Sequence, residues 1–194
     1  MRVRVFRNLL RAFMVLALGC STVPKTHMST PVTILDFVPF PLVGTSEYVG
    51  AIIPAPFAAE SFVDEWGPSE GFWTPTESEI AKVEAMIPVT LKRALEEPAE
   101  LADLVGSNGK DFARQEIPKI LANYSVYARQ YAGIVVNGKR RIWCNFFDRR
   151  HVEEQPDGWR RSWLVVFDGG SSYWRIECEV DTGRCTGFNS NAYA

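Results

Sequence analysis

Histidine is scarce in this chain of 194 residues, which contains only His27 and His151. Most acid–base and nucleophilic mechanisms near neutral pH depend on an imidazole. The two histidines cannot share a helix face and the four cysteines show no paired spacing, so nothing indicates a zinc site. Glycine-rich phosphate loops, a serine elbow and a dinucleotide fingerprint are also missing. We therefore predict no catalytic residues, no metal and no cofactor.

The N-terminus lacks an apolar run long enough to cross a bilayer. Residues 12–18 are apolar, but a membrane-spanning helix needs about 20 such residues. The run follows four arginines and ends at Gly19 and Cys20. A basic start, a short apolar stretch and a small residue at the cleavage point are typical of a secretory signal peptide. We predict a signal peptide over residues 1–19.

The end of this segment, Gly19 followed by Cys20, resembles the lipobox of bacterial lipoproteins. The resemblance implies that Cys20 is lipidated, becomes the new N-terminus and attaches the protein to a membrane. Ser21 stands where inner-membrane lipoproteins carry an aspartate, which implies sorting to the outer membrane, facing the periplasm or the cell surface. The alternative is cleavage nearby and release as a free secreted protein.

Proline is concentrated near the N-terminus, with eight of the twelve prolines before residue 76. This spacing predicts no helix in that stretch. The stretch is nevertheless too apolar for an ordinary disordered linker. We predict a tether and proline-rich arm over residues 20–75, partly laid against a single α+β domain over residues 76–194.

Positive charge is too sparse to indicate a nucleic-acid partner. Residues 21–122 carry seven basic and fifteen acidic side chains, and residues 123–194 carry ten basic and eight acidic ones. Nucleic-acid binding usually needs a much larger basic excess on one surface. We predict no nucleic-acid partner.

Helical signals follow the arm. Thr76 and Glu79 form a capping box, and apolar residues then recur every three or four positions as far as Leu95. Pro98 can begin a second helix through Val105, and a third is predicted from Asp111 to Leu121.

After residue 123 the apolar period changes to two. Strands are predicted at 124–136, 139–148, 160–168, 171–181 and 184–189, joined by turns at 137–138, 169–170 and 182–183. The sequence therefore predicts an α+β fold, with one or more N-terminal helices packed on one face of a four- to five-stranded antiparallel meander sheet.

The last third of the chain is similar to a group of small uncharacterised exported bacterial proteins. The similarity lies in Tyr127, Arg129, Gln130, Tyr131, Gly133, Asn145, Phe146, Phe147, Trp163, Asp168, Gly169, Gly170, Tyr173, Trp174 and Asn189. It implies no established activity. The order of one long helix and then a meander is similar to cystatin-like folds. That similarity implies an alternative function, inhibition of an extracellular hydrolase, although the spacing of Gln130 and Gly133 departs from the cystatin loop.

An oxidising compartment permits disulfides among Cys20, Cys144, Cys178 and Cys185. Lipidation of Cys20 leaves three thiols, and without lipidation the four cysteines allow three pairings. The turn at 181–184 brings Cys178 and Cys185 close in sequence, so this pair is the candidate disulfide if the strand register allows it.

Arginine and aromatic residues alternate along the predicted strands. The candidate binding surface is Tyr127, Arg129, Tyr131, Trp143, Tyr173 and Arg175. Such residues bind glycans or anionic polymers by stacking and by guanidinium hydrogen bonds. The alternative is that the rings form the core and the arginines lie at its rim.

These observations favour a lipid-anchored binding or interaction module of the cell envelope that engages an envelope protein or polymer. The alternatives are the hydrolase inhibitor and a thiol enzyme that uses Cys144 and His151.

We expect intact mass spectrometry of the exported protein to give a chain that begins at Cys20, carries acyl chains and contains one disulfide. The same mass reports the cleavage site, the lipid and the number of bridges. Recovery of the untrimmed product with Met1 from the soluble intracellular fraction would contradict the prediction of export.

Overall fold

The computed structural model describes residues 3–5, 39–61, 69–106, 109–151 and 158–193. The lipidation predicted at Cys20 lies outside the described residues. The described helices are α1 (Ala55–Ser61), α2 (Glu77–Glu96), α3 (Pro98–Val105) and α4 (Lys110–Ala122). The described strands are β1 (Val3–Val5), β2 (Leu42–Gly44), β3 (Val49–Ile53), β4 (Gly71–Trp73), β5 (Tyr127–Val136), β6 (Lys139–Asp148), β7 (Leu164–Val166), β8 (Tyr173–Glu179) and β9 (Cys185–Ser190).

The longest helix, α2, begins at the predicted capping box. The side chain of Thr76 accepts from the Glu79 amide, and the Glu79 carboxylate accepts from the Thr76 amide at 2.9 Å. One face of α2 is apolar and buried at Ile80, Val83, Ile87, Leu91 and Ala94. Together with the buried faces of α3 and α4 it covers one face of the sheet. The predicted bounds of α3 agree with the structure.

The sheet confirms the α+β class but is larger than predicted. It has seven strands in the order β2-β3-β5-β6-β8-β9, with β4 also paired to β5. Its pairs are antiparallel except that β3 runs parallel to β5. The predicted antiparallel sheet is therefore confirmed for most strand pairs, but four to five strands is too few and the parallel pair of β3 and β5 was not predicted, because segments before residue 76 join the sheet.

The strand β5 pairs with two strands along the same edge. β3 lies beside residues 128–132, and β4 lies beside residues 133–135. Gly133 permits the approach of β4, because a Cβ there would stand 2.3 Å from the carbonyl oxygen of Trp73. β5 is consequently the central strand of the molecule.

The stretch before residue 76 contains regular structure. Strands β2, β3 and β4 lie in this stretch, and so does helix α1. The prediction that no helix forms there is wrong for residues 55–61. Pro56 stands in the first turn of α1, where its missing N–H would have no partner inside the helix.

Of two predicted hairpin turns, the one at 137–138 is confirmed and the one at 169–170 is wrong. Asn137 and Gly138 both have positive φ, at 52° and 69°, and join β5 to β6 at the predicted turn, which sets Gln130 opposite Asn145. Gly169 and Gly170 do not join two paired strands. β7 pairs with β1 instead, while β8 lies between β6 and β9.

A side-chain amide network explains why β7 leaves the sheet. Gln130 is fully buried and donates to the carbonyl oxygens of Trp159 at 2.6 Å and Ser162 at 2.7 Å. Its own carbonyl oxygen accepts from the Leu164 amide and from the Asn145 side chain. These bonds hold the segment before β7 against the second face of the sheet, where Trp163 and Val165 pack with Trp143 and the apolar residues of β3 and α1.

The turn between β8 and β9 carries a disulfide. Cys178 and Cys185 are direct neighbours across the two strands and are bonded to each other, which is the candidate pairing. Cys144 is a free, buried thiol. Among the helices that the structure describes, none is both long and apolar enough to cross a membrane.

We expect Gln130→Leu to lower the free energy of unfolding by about 2–4 kcal/mol, since several buried polar groups lose their partners. Gln115→Leu is the matched control on the exposed face of α4 and should change it by less than about 0.5 kcal/mol. Urea denaturation of both variants measures the difference, and equal effects would contradict the role assigned to the Gln130 amide.

Candidate functional site

A groove lies along β8 and β9, at the end of the sheet where α3 and α4 approach β9. Two adjoining cavities form it, with volumes of about 470 Å³ and 410 Å³. Arg175 of β8 and Asn189 of β9 line both cavities. The first cavity is also bounded by Trp143 and Glu177 and, on the helix side, by Val105, Gly109, Phe112 and Ala113. The second is bounded by Asn145, Phe167, Tyr173 and Asn191. We refer to these residues as the β8–β9 groove.

The strand register brings the two shared residues together. Arg175 and Asn189 are direct partners across β8 and β9. Between this pair and the next one, Glu177 with Thr186, β9 has one residue more than β8. Gly187, with φ 67°, lies in that extra stretch and takes the left-handed conformation that such a bulge favours. The bulge therefore shifts the register of β9 against β8 by one residue beside the groove.

Arg175 supplies a positive charge at the centre of the groove. Its guanidinium carbon lies 5.9 Å from the centroid of the Trp143 ring. Burial lowers the pKa of Arg175 from its ordinary value, because the charged form loses hydration, while the nearby Glu177 carboxylate acts in the opposite direction. Glu177 also contacts Arg141, whose Nη1 lies 3.4 Å from Oε2. An acidic group bound beside Arg175 would compensate for part of the lost hydration.

The wall of the second cavity is fixed by asparagine side chains. Asn145 donates to the carbonyl oxygen of Leu164 at 2.9 Å. Asn191 donates to the carbonyl oxygens of Val166 at 2.6 Å and Asp168 at 3.1 Å. Phe167, at the rim, is 67% exposed. The groove thus combines side-chain amides fixed by hydrogen bonds, the guanidinium of Arg175 and an exposed apolar ring.

The six residues of the candidate binding surface do not form one surface. Tyr127, Arg129 and Tyr131 face the helices and are buried. The other three, Trp143, Tyr173 and Arg175, lie on the opposite face and line the groove, although both rings are buried. Side chains alternate along β5 as the sequence predicts, but β5 is covered on both faces.

The residues under the helices form a buried ionic network. Arg129 Nε lies 3.2 Å from Glu84 Oε1, and the Tyr131 hydroxyl donates to the same oxygen at 2.8 Å. Tyr124 donates to the other carboxylate oxygen, and Arg129 also donates to the backbone carbonyl oxygens of Tyr124 and Tyr127. Burial raises the pKa of Tyr124 and Tyr131, and Glu84 adds to the effect.

This network joins α2 to β5 and serves the packing of the helices on the sheet. The guanidinium of Arg129 also lies over the rings of Tyr48, Tyr124 and Phe146 at about 5 Å. The network is not predicted from the sequence, although one signal of it is present: Glu84 interrupts the apolar stripe of α2 beside Val83. A buried charge of that kind needs a partner.

The thiol of Cys144 lies on the helix-facing side of β6. Its burial raises the pKa well above the usual value, and the Glu84 carboxylate adds to this. A nucleophilic cysteine needs the opposite shift and access to solvent. The side chain of His151 lies outside what the structure describes.

Comparison of the chain with known protein families, with curated proteins and with solved structures finds no match. In the described ranges, no three histidine, cysteine, aspartate or glutamate side chains are grouped so that they would hold a metal ion.

We expect Cys144 to react with iodoacetamide at least a hundredfold more slowly in the native protein than in urea between pH 7 and 9. The reason is that burial excludes the reagent and disfavours the thiolate over this range. Mass spectrometry after timed quenching measures the rate. Equal rates in the two states would contradict the buried position of the thiol.

Proposed function

We propose that this protein is exported, is anchored through Cys20 and acts in the cell envelope as a binding module whose site is the β8–β9 groove. The observation that carries the proposal is the pair of Arg175 and Asn189 at the junction of the two cavities. Concave sites with a few converging polar groups are where ligands usually bind.

The chemistry of the groove favours an acidic ligand. The chain after residue 20 has an excess of acidic over basic side chains. General electrostatic attraction would therefore not hold an anion, and binding must come from a local cation. Arg175 offers a partly desolvated guanidinium with several donors, and such a group binds carboxylates in a two-pronged geometry.

A protein segment fits the groove better than a polysaccharide. Sugar binding by stacking needs an exposed ring face, but Trp143 and Tyr173 are only 3% and 4% exposed. The exposed ring of Phe167 and the fixed amides of Asn145 and Asn191 suit apolar side chains and peptide groups. We therefore favour an acidic segment of an envelope protein over an envelope polymer.

The test uses fluorescent poly-L-glutamate as a probe of an acidic polypeptide and measures its anisotropy with the mature exported protein. We expect Arg175→Gln to weaken binding at least tenfold, because the local cation is removed. Arg184→Gln is the matched control. Arg184 is exposed, pairs with Asp103 and lies outside the groove, so binding should stay within twofold.

Two results would contradict the proposal. Equal loss in both arginine variants would mean that the probe senses only overall charge. Binding of polygalacturonate but not of poly-L-glutamate would replace the protein ligand with an acidic polymer.

A further inference from the structure

β7 is held along one edge by side chains of the sheet. The amide and the carbonyl oxygen of Leu164 bond to Gln130 and Asn145, and the carbonyl oxygen of Val166 accepts from Asn191. Backbone groups of successive residues point to opposite edges of a strand. The N–H and C=O of Val165 therefore point to the other edge of β7.

That other edge is occupied by the chain itself. β1 runs antiparallel to β7, with Arg4 opposite Val165, Val5 opposite Leu164 and Val3 opposite Val166. Because the groups of Val165 point outward, Arg4 and Val165 form the pair that exchanges two backbone hydrogen bonds. This edge therefore pairs with three residues of extended chain in one defined register.

The occupying strand lies inside the segment predicted to be the signal peptide. Removal of residues 1–19 on export takes β1 away, and no other strand that the structure describes pairs with that edge of β7. An edge strand with free backbone groups is a template for strand addition by another chain. The short length of β7 limits the hydrogen bonds available, so a bound segment gains specificity from register and from neighbouring contacts.

We propose that β7 of the exported protein binds an extended peptide segment of another protein by antiparallel strand addition. The site is distinct from the β8–β9 groove, although β7 forms one wall of the second cavity. The proposal rests on the proposed function only in that export removes residues 1–19.

The probe is a synthetic peptide with the sequence of residues 1–8, labelled with a fluorophore, and the partners are the mature exported protein and the full chain. We expect saturable binding to the mature protein and at least tenfold weaker binding to the full chain, whose own residues 3–5 occupy the edge. Hydrogen exchange at the Val165 amide should slow on binding. Exchange at the Leu164 amide should stay slow throughout, because Gln130 already binds it.

Two modified peptides test the register. Methylation of the Arg4 backbone nitrogen removes one of the two exchanged hydrogen bonds and should weaken binding about tenfold. Methylation of the Val5 backbone nitrogen is the matched control. That nitrogen points away from β7, so binding should change less than threefold.

The outcomes separate this proposal from the first one. Equal weakening by both methylations, equal binding to the full chain, or a mature protein that dimerises and excludes the peptide would each overturn strand addition by a partner. The side chain of Arg175 takes no part in this experiment. Poly-L-glutamate binding can therefore fail while peptide addition succeeds, or the reverse.

Discussion

The ion pair between Glu84 and Arg129 fixes how the helices meet the sheet. It joins α2 to the central strand, and both charged groups are withdrawn from water. Tyr131 reaches the same carboxylate by crossing Gly50, where any Cβ would stand 2.3 Å from its ring. Breaking a buried pair on one side generally costs about 3–5 kcal/mol, because a charge is left without compensation. The network therefore holds the helix layer in one position against β5.

The central position of β5 decides where a ligand can bind. One face of this strand lies under the helices, and on the other Gln130 holds the segment that leads into β7. The covering elements on the second face lie over β3, β5 and β6. The last two strands in the sheet order, β8 and β9, keep open space beside them. The groove and the edge of β7 both follow from this uneven covering.

The sequence correctly predicts those elements whose bounds depend on interactions between residues close together in the chain. The capping box at Thr76, Pro98 at a helix start and the Asn137–Gly138 turn each act within a few residues. It predicts poorly where distant residues decide, as at Gly169–Gly170, where amides on two other strands position β7. The sequence predicts Trp143, Tyr173 and Arg175 as binding-surface residues. An apolar period of two does not show which face of a strand is covered when both faces carry apolar residues. Asn189 was missed as a groove residue because its role depends on its pairing with Arg175.

The parallel pairing of β3 with β5 bears on how the chain acquires its fold. Helices α1 to α4 and strand β4 lie between these two strands in sequence, so their contact is highly non-local. Because a chain is synthesised from its N-terminus, the apolar segment of β3 is exposed long before residues 128–132 have followed. Until then β3 can pair only with β2, and its other edge stays open as a binding target for a holding chaperone.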